Sequence, residues 1–199
     1  MEIEAATNNL RVTINRLSKA LEPDRPEGAP SAYLIQQGET YAFNTASDHH
    51  IDVVEFADAV AEGRRADQRG QRTAVIAAYR RAVQLYGGPY LPDNMYEDWT
   101  VVERERLALM FVESALRLGT LLLEEGAVHE AIGLAWRVVE IDQTQEEAYR
   151  LLMRAYAALG ERSTALRLYA RCVDVLQNEL GIAPLPETTA LYHALRDMR

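Results

Sequence analysis

Cysteine is almost missing from this chain: its 199 residues hold one, Cys172, which excludes an internal disulfide and a cysteine-built zinc site. Lysine is as scarce, with Lys19 alone beside 20 arginines. No apolar run approaches the roughly 18 residues that a membrane-spanning helix needs. The opening Met1-Glu2-Ile3-Glu4 has neither the basic stretch nor the apolar core of a secretory signal. These absences place the chain in a reducing cytoplasm. Positive charge is short as well: 21 basic residues face 30 acidic ones, a net charge of -9. That balance excludes a broad nucleic-acid-binding field, so any DNA contact must rest on a local patch. What is present, 48% apolar and 26% charged residues, is the composition of an ordinary globular protein. A chain of this length buries roughly 70% of its unfolded surface and needs no covalent staples.

Catalytic constellations are missing too. There is no glycine-rich phosphate loop. The four histidines, His49, His50, His129 and His193, lack the spacing of a metal site, since His129-Glu130 has no second histidine one turn on. The carboxylate pairs Glu124-Glu125 and Glu146-Glu147 read as solvated helix ends. The reading is therefore a non-enzyme with no metal and no cofactor.

Residues 8–21 carry Leu10, Ile14, Leu17 and Leu21 at i, i+4, i+7 and i+11, the stripe of an amphipathic helix, with Thr7 as its expected N-cap. Glu22-Pro23 ends it, because a residue before proline avoids the α region. After a proline-containing linker, two apolar runs with tyrosines flank Gln36-Gln37-Gly38-Glu39 within residues 32–43, which predicts a β-hairpin turning at Gly38 and packing on the helix. The outer face of the helix presents Asn8, Arg11, Val12, Asn15, Arg16 and Lys19, with Asn9 beside them. Arginine can fork onto guanine, asparagine can pair with adenine, and an outward valine can touch a thymine methyl. A surface helix with assorted polar residues is the plainer alternative. Helix, linker and hairpin together form the second half of a winged helix-turn-helix, with Gln36 and Gln37 at the wing tip. Residues 1–50 carry four basic and seven acidic residues, so the basic patch is narrow.

From Ile51 onward the pattern is helical and repeats. Residues 112–145 set above 146–179, an offset of 34, align Leu118 with Leu152, Leu122 with Tyr156, Gly126 with Gly160, Ala131 with Ala165, Leu134 with Leu168 and Val139 with Val173. That period, with small residues where helices cross, is tetratricopeptide-like. A degenerate unit is expected near 53–86 with Ala74 in the place of Ala131, separated by 23 extra residues around Gly87-Gly88-Pro89. One long helix is expected from about Glu97 to Glu125. Residues 186–198 put Leu191, Leu195 and Met198 on one face, as a capping helix requires. The fold class is thus mainly α: a tetratricopeptide-like solenoid of three units and a cap over 51–199, preceded at 1–50 by the C-terminal half of a winged helix. In the array, Glu113, Leu116, Thr120, Arg150 and Arg154 are expected on a concave groove, with Arg150 and Arg154 at i, i+4 suited to a carboxylate; two solvated surface charges are the alternative.

Several of these segments resemble one family. Asn8-Asn9-Leu10-Arg11-Val12-Thr13-Ile14-Asn15-Arg16-Leu17, followed by Ala20-Leu21-Glu22-Pro23, is similar to the recognition helix of SARP-type (antibiotic regulatory protein) transcription factors. Asp52-Val53-Val54-Glu55-Phe56 resembles the opening of their bacterial transcriptional activator domain. Gly87 to Asp93 with Trp99, Arg150 to Gly160, and Glu179-Leu180-Gly181-Ile182-Ala183-Pro184 with Pro186-Glu187-Thr188 resemble the rest of it. The resemblance implies a promoter-binding activator, usually a dimer on direct repeats, that recruits RNA polymerase and touches no membrane. Such proteins carry a sheet and two helices ahead of the recognition helix, and this chain starts just before that helix, so DNA binding is expected to be weakened without them. The alternative, from another class, is a helical-repeat interaction or sensing scaffold that does not bind DNA, including the regulatory module of a larger signalling protein.

Overall fold

The computed structural model describes residues 2–38 and 40–198. They divide between His50 and Ile51 into two compact units.

The first unit is helix α1 (Glu2–Leu21) and a hairpin of β1 (Leu34–Gln37) and β2 (Thr40–Phe43). Helix α1 starts before the expected cap, and Thr7 lies inside it. No glycine or proline interrupts residues 2–7, so nothing there stops the helix from running on. The strands pair antiparallel with Leu34 opposite Phe43 and Gln37 opposite Thr40, which leaves a two-residue turn. Gly38 supplies the positive φ (62°) that the turn requires; Glu39, expected at the tip, lies outside the described residues. Tyr33 stacks on Phe43, and His49 meets the Phe43 ring edge-on at 4.8 Å. The hairpin does not cover the predicted apolar stripe. Ser18 is buried and Ile14 half-buried, while Leu10, Leu17 and Leu21 remain exposed. Four-residue strands are too short to shield a whole helix face, and the three leucines lie further round the helix than Ile14.

Among the described residues the second unit has, besides a 3-10 turn at Pro92–Asn94, seven α-helices: α2 (Asp52–Gln68), α3 (Arg72–Leu85), α4 (Asp98–Glu124), α5 (Val128–Ile141), α6 (Glu146–Ala158), α7 (Arg162–Leu180) and α8 (Pro186–Asp197). They form three helix pairs with one turn repeated. Gln71 donates its N–H to Ala66, Ala127 to Leu122 and Glu161 to Tyr156, while Gly70, Gly126 and Gly160 take φ of 66°, 81° and 78°. Each is the left-handed residue that closes a helix end. In this register Val75, not Ala74, matches Ala131 and Ala165; Val75 is buried and Ala74 exposed. The separation from Gly70 to Gly126 is 56, so the insertion is 22 residues and not 23. Its location is also clear: α4 has 27 residues against 13 in α6, and the loop before α4 has 12 against 4 before α6. Fourteen extra residues therefore lengthen the helix and eight the loop.

Small residues set the helix spacing. Ala131, Ala135, Ala155 and Ala165 have no exposed surface. Tyr86 stacks on Phe111 at 4.4 Å, Phe56 lies beside Tyr86, and the Arg137 guanidinium caps the Phe111 ring at 4.6 Å. The loop 86–97 contains Leu91 at φ 47°, a conformation L residues rarely take. Two arginines hold that loop by its carbonyls. Arg104 donates to Tyr90, Asn94 and Met95, and Arg137 donates to Tyr86 and to Val83 in the last turn of α3.

After α7, helix α8 buries Leu195 and half-buries Leu191. Met198 lies beyond the helix and stays exposed; its carbonyl accepts from Arg162. Glu146 is not the solvated helix-end carboxylate expected above. It is buried, and accepts from the Leu185 N–H and from the Thr188 hydroxyl at 2.6 Å. Cys172 is fully buried, and that burial pushes its thiol up to about 11.

Candidate nucleic-acid interface

Helix α1 is 20 residues, about 30 Å long. At about 100° per residue, Asn15, Asn8, Lys19, Val12 and Arg16 fall within an arc of roughly 100°, with Arg11 and Asn9 at its two borders. All seven are exposed. Buried Ser18 and half-buried Ile14 lie to one side of this arc, so the polar face stays open. A cavity of about 470 Å³ between helix and hairpin is lined by Ile14, Asn15, Ser18, Arg25, Gln36 and Tyr41, among others. It places Asn15 and Gln36, one from the helix and one from the hairpin, on the same cleft.

The segment that leads into the hairpin is tied to the end of the helix by a residue read from sequence only as the helix stop. Glu22, just past the end of α1, accepts from the Ser31 hydroxyl and from the Ala32 N–H at 2.9 Å. Ser31 in turn accepts from the N–H groups of Tyr33 and Leu34. The Ser31 hydrogen bond, followed by that of Ala32, holds the Glu22 carboxyl below its ordinary range. The sequence signal was Glu22 itself, a carboxylate left at a helix end before proline. At the turn, Gln36 donates its side-chain amide to the Gly38 carbonyl, whereas the Gln37 side chain is exposed.

The second expected site, the concave face of the array, is differently arranged. Glu113 is ion-paired with Arg64 of α2. Arg150 donates to Thr188 of α8 at 2.9 Å, in the same network as Glu146. Leu116 is buried, and Thr120 donates back to the Leu116 carbonyl. Of the pair expected to grip a carboxylate, Arg154 is exposed and donates no hydrogen bond among the described residues. Arg150 and Arg154 are therefore not brought together on one ligand.

The same face carries a second strap from α2 to α4. Arg117 forks onto Asp67 with contacts of 2.9 and 2.6 Å, and this hydrogen bonding holds the Asp67 carboxyl below its ordinary range. A depressed carboxylate pKa stabilises the fold above the unfolded value near 3.9, and that contribution is lost as pH falls through the lower folded value. The pair is partly exposed, so it is worth about 0.5–1 kcal/mol. Asp67→Asn is expected to lower the urea midpoint at neutral pH and to have no effect once Asp67 is protonated in both states. An equal loss at both pH values would contradict the assignment.

No group of three or more histidine, cysteine, aspartate or glutamate side chains among the described residues could hold a metal ion, and none of their helices is long and apolar enough to cross a membrane.

The repeated turns and close-packed pairs make residues 51–198 a tetratricopeptide-like α-solenoid. The C-terminal TPR-containing domain of a Plasmodium falciparum FK506-binding protein superposes with a TM-score of 0.56 at 17% identity, covering 75% of this chain and 93% of that domain. Residues 51–196 match the profile of the bacterial transcriptional activator domain. The chain belongs to the bacterial transcriptional activator domain family, in agreement with the SARP-type resemblance of its segments. The transcriptional regulatory protein MoaR1 of Mycobacterium tuberculosis is 28% identical over 166 residues, which are 81% of this chain and 52% of MoaR1. The structure of Mycobacterium tuberculosis EmbR, solved with a low-affinity phosphopeptide, matches with a TM-score of 0.70 at 21% identity over 96% of this chain and 50% of that one. This chain thus spans about half the length of MoaR1 and about half of the EmbR chain. The family is a regulatory one.

Proposed function

We propose that this chain is the promoter-binding and contact-making part of a transcriptional activator, with α1 as its DNA-recognition helix and the hairpin as its wing. The observation that carries the reading is the open face of α1, where Asn8, Val12, Asn15, Arg16 and Lys19 stand exposed beside Arg11. Their chemistry suits base edges and phosphates together: forked arginines, amides and one methyl-bearing side chain. Residues 51–199 carry 17 basic and 23 acidic side chains, so the array supplies no attractive field. It serves protein contacts instead, with RNA polymerase and a second copy as the partners that the family resemblance implies. Binding is then weak on random DNA and depends on a few contacts from one helix.

The test is a salt titration of promoter binding by the full-length regulator and by its Arg11→Ala/Arg16→Ala variant. Each lost phosphate contact reduces the slope of log K against log salt by about 0.9, and each lost guanine fork costs about 1–3 kcal/mol. The double variant is expected to bind at least about tenfold more weakly, with a shallower slope or a relaxed sequence preference. Unchanged affinity and slope would remove α1 from the interface.

A further inference from the structure

Helix α4 exceeds α6 by fourteen residues, and by the repeat offset those are residues 98–111. This extension carries large apolar side chains that nothing covers: Trp99 is 65% exposed, Val102 75% and Leu109 69%. With Arg106 between them they occur at i, i+3, i+7 and i+10, the a and d positions of a heptad. A seam at this spacing accepts another helix, because each knob fits between four residues of a partner at the same pitch. Monomeric proteins rarely leave such a stripe bare without an interaction to serve.

The flanks say which helix. In the same register the g positions are Asp98 and Glu105, and the e position between them is Glu103. All three are acidic. Arg106, the cation on the seam, is already held by Glu103 through contacts of 2.8 and 2.6 Å. A second copy would therefore meet acid with acid whether the helices ran parallel or antiparallel, and like charges across a seam are repulsive.

We infer that the α4 extension is a docking seam for an amphipathic helix of another protein, with apolar residues at its core positions and lysine or arginine on its flanks. This inference is independent of the DNA reading, since it uses no residue of α1 or the wing.

The experiment uses two labelled synthetic helices with leucine at every a and d position, one with lysine and one with glutamate at e and g. Binding to the full chain is followed by fluorescence anisotropy at low salt. The lysine helix is expected to bind at least about tenfold more tightly than the glutamate helix. Val102→Asp/Leu109→Asp is expected to abolish that binding with the thermal melt unchanged, since both positions face solvent. Asp98→Lys/Glu105→Lys is expected to reverse the preference between the two helices. Equal binding of both helices, no binding of either, or no effect of Val102→Asp/Leu109→Asp would overturn the proposal. So would self-association of the wild-type chain in sedimentation that Val102→Asp/Leu109→Asp removes, which would make the occupant a second copy.

Discussion

Glu146→Ala is expected to destabilise the helical array by about 3 kcal/mol, with α8 released first. The Glu146 carboxylate is 7% exposed and takes two donors from the last connection, the Leu185 N–H and the Thr188 hydroxyl. Thr188 is fully buried and also receives Arg150. Removing the carboxylate leaves the buried Thr188 hydroxyl without its acceptor and the Arg150 cation without the anion at the centre of their network. Hydrogen bonds to a charged group contribute about 1.5–3 kcal/mol each, and an unsatisfied buried donor costs a further about 1–3 kcal/mol before relaxation. Because α8 is only 12 residues long and packs chiefly on α6 and α7, it can relax by detaching, which limits the loss to the value given. Glu146→Gln keeps an acceptor oxygen and should lose about half as much. Urea unfolding and amide hydrogen exchange in α8 measure both. Exchange in α8 no faster than in wild type would contradict the role assigned to this residue.

Gly63→Ala carries the second large expected effect, a net destabilisation of about 1–2 kcal/mol. An added Cβ would lie 2.4 Å from Cε1 and 2.6 Å from Cδ1 of Tyr79, and that ring is 2% exposed. Overpacking a rigid core costs about 1–3 kcal/mol, whereas the better helix propensity of alanine returns at most about 1 kcal/mol. Gly119→Ala is the control. Its Cβ would meet Leu151 Cδ2 at 2.6 Å, a methyl at the end of a rotatable chain, with its next neighbours at 3.8 Å. The leucine can turn aside, so the propensity gain cancels most of the strain. Thermal denaturation should rank wild type near Gly119→Ala and clearly above Gly63→Ala. The reverse order would mean that α2 and α3 separate more easily than their packing indicates.

The array was legible because its signals are local and repeated. Gly126 and Gly160 need a left-handed backbone, Ala131 and Ala165 need a close crossing, and the structure has both. The degenerate unit was one residue out of register because alanine is common in helices: Ala74 looked like the match, but the crossing accommodates Val75. The turn glycine, Gly70, was the better guide, since few other residues take its φ. Long-range partners were not legible. Nothing in the local sequence tells that Glu146 will meet a loop 39 residues on, or that Arg150 will be drawn to Thr188. The groove reading suffered for that reason: Glu113 and Arg150 were assigned by register, and register says nothing about what competes for a charge. In the N-terminal unit the exposed polar face of α1 was readable from polarity alone, because exposure needs no partner. The uncovered Leu10, Leu17 and Leu21 were not, since periodicity marks an apolar face without stating what shields it.

The most direct test of the central claim is photo-crosslinking from promoter DNA carrying bromodeoxyuridine, with crosslinked peptides of the full-length regulator identified by mass spectrometry. Within the residues of this chain, crosslinks are expected on α1 between Asn8 and Lys19 and at the Gln36-Gln37 wing tip, and to disappear with a salt rise that removes binding. Crosslinks confined to residues 51–199, with none on α1, would contradict it.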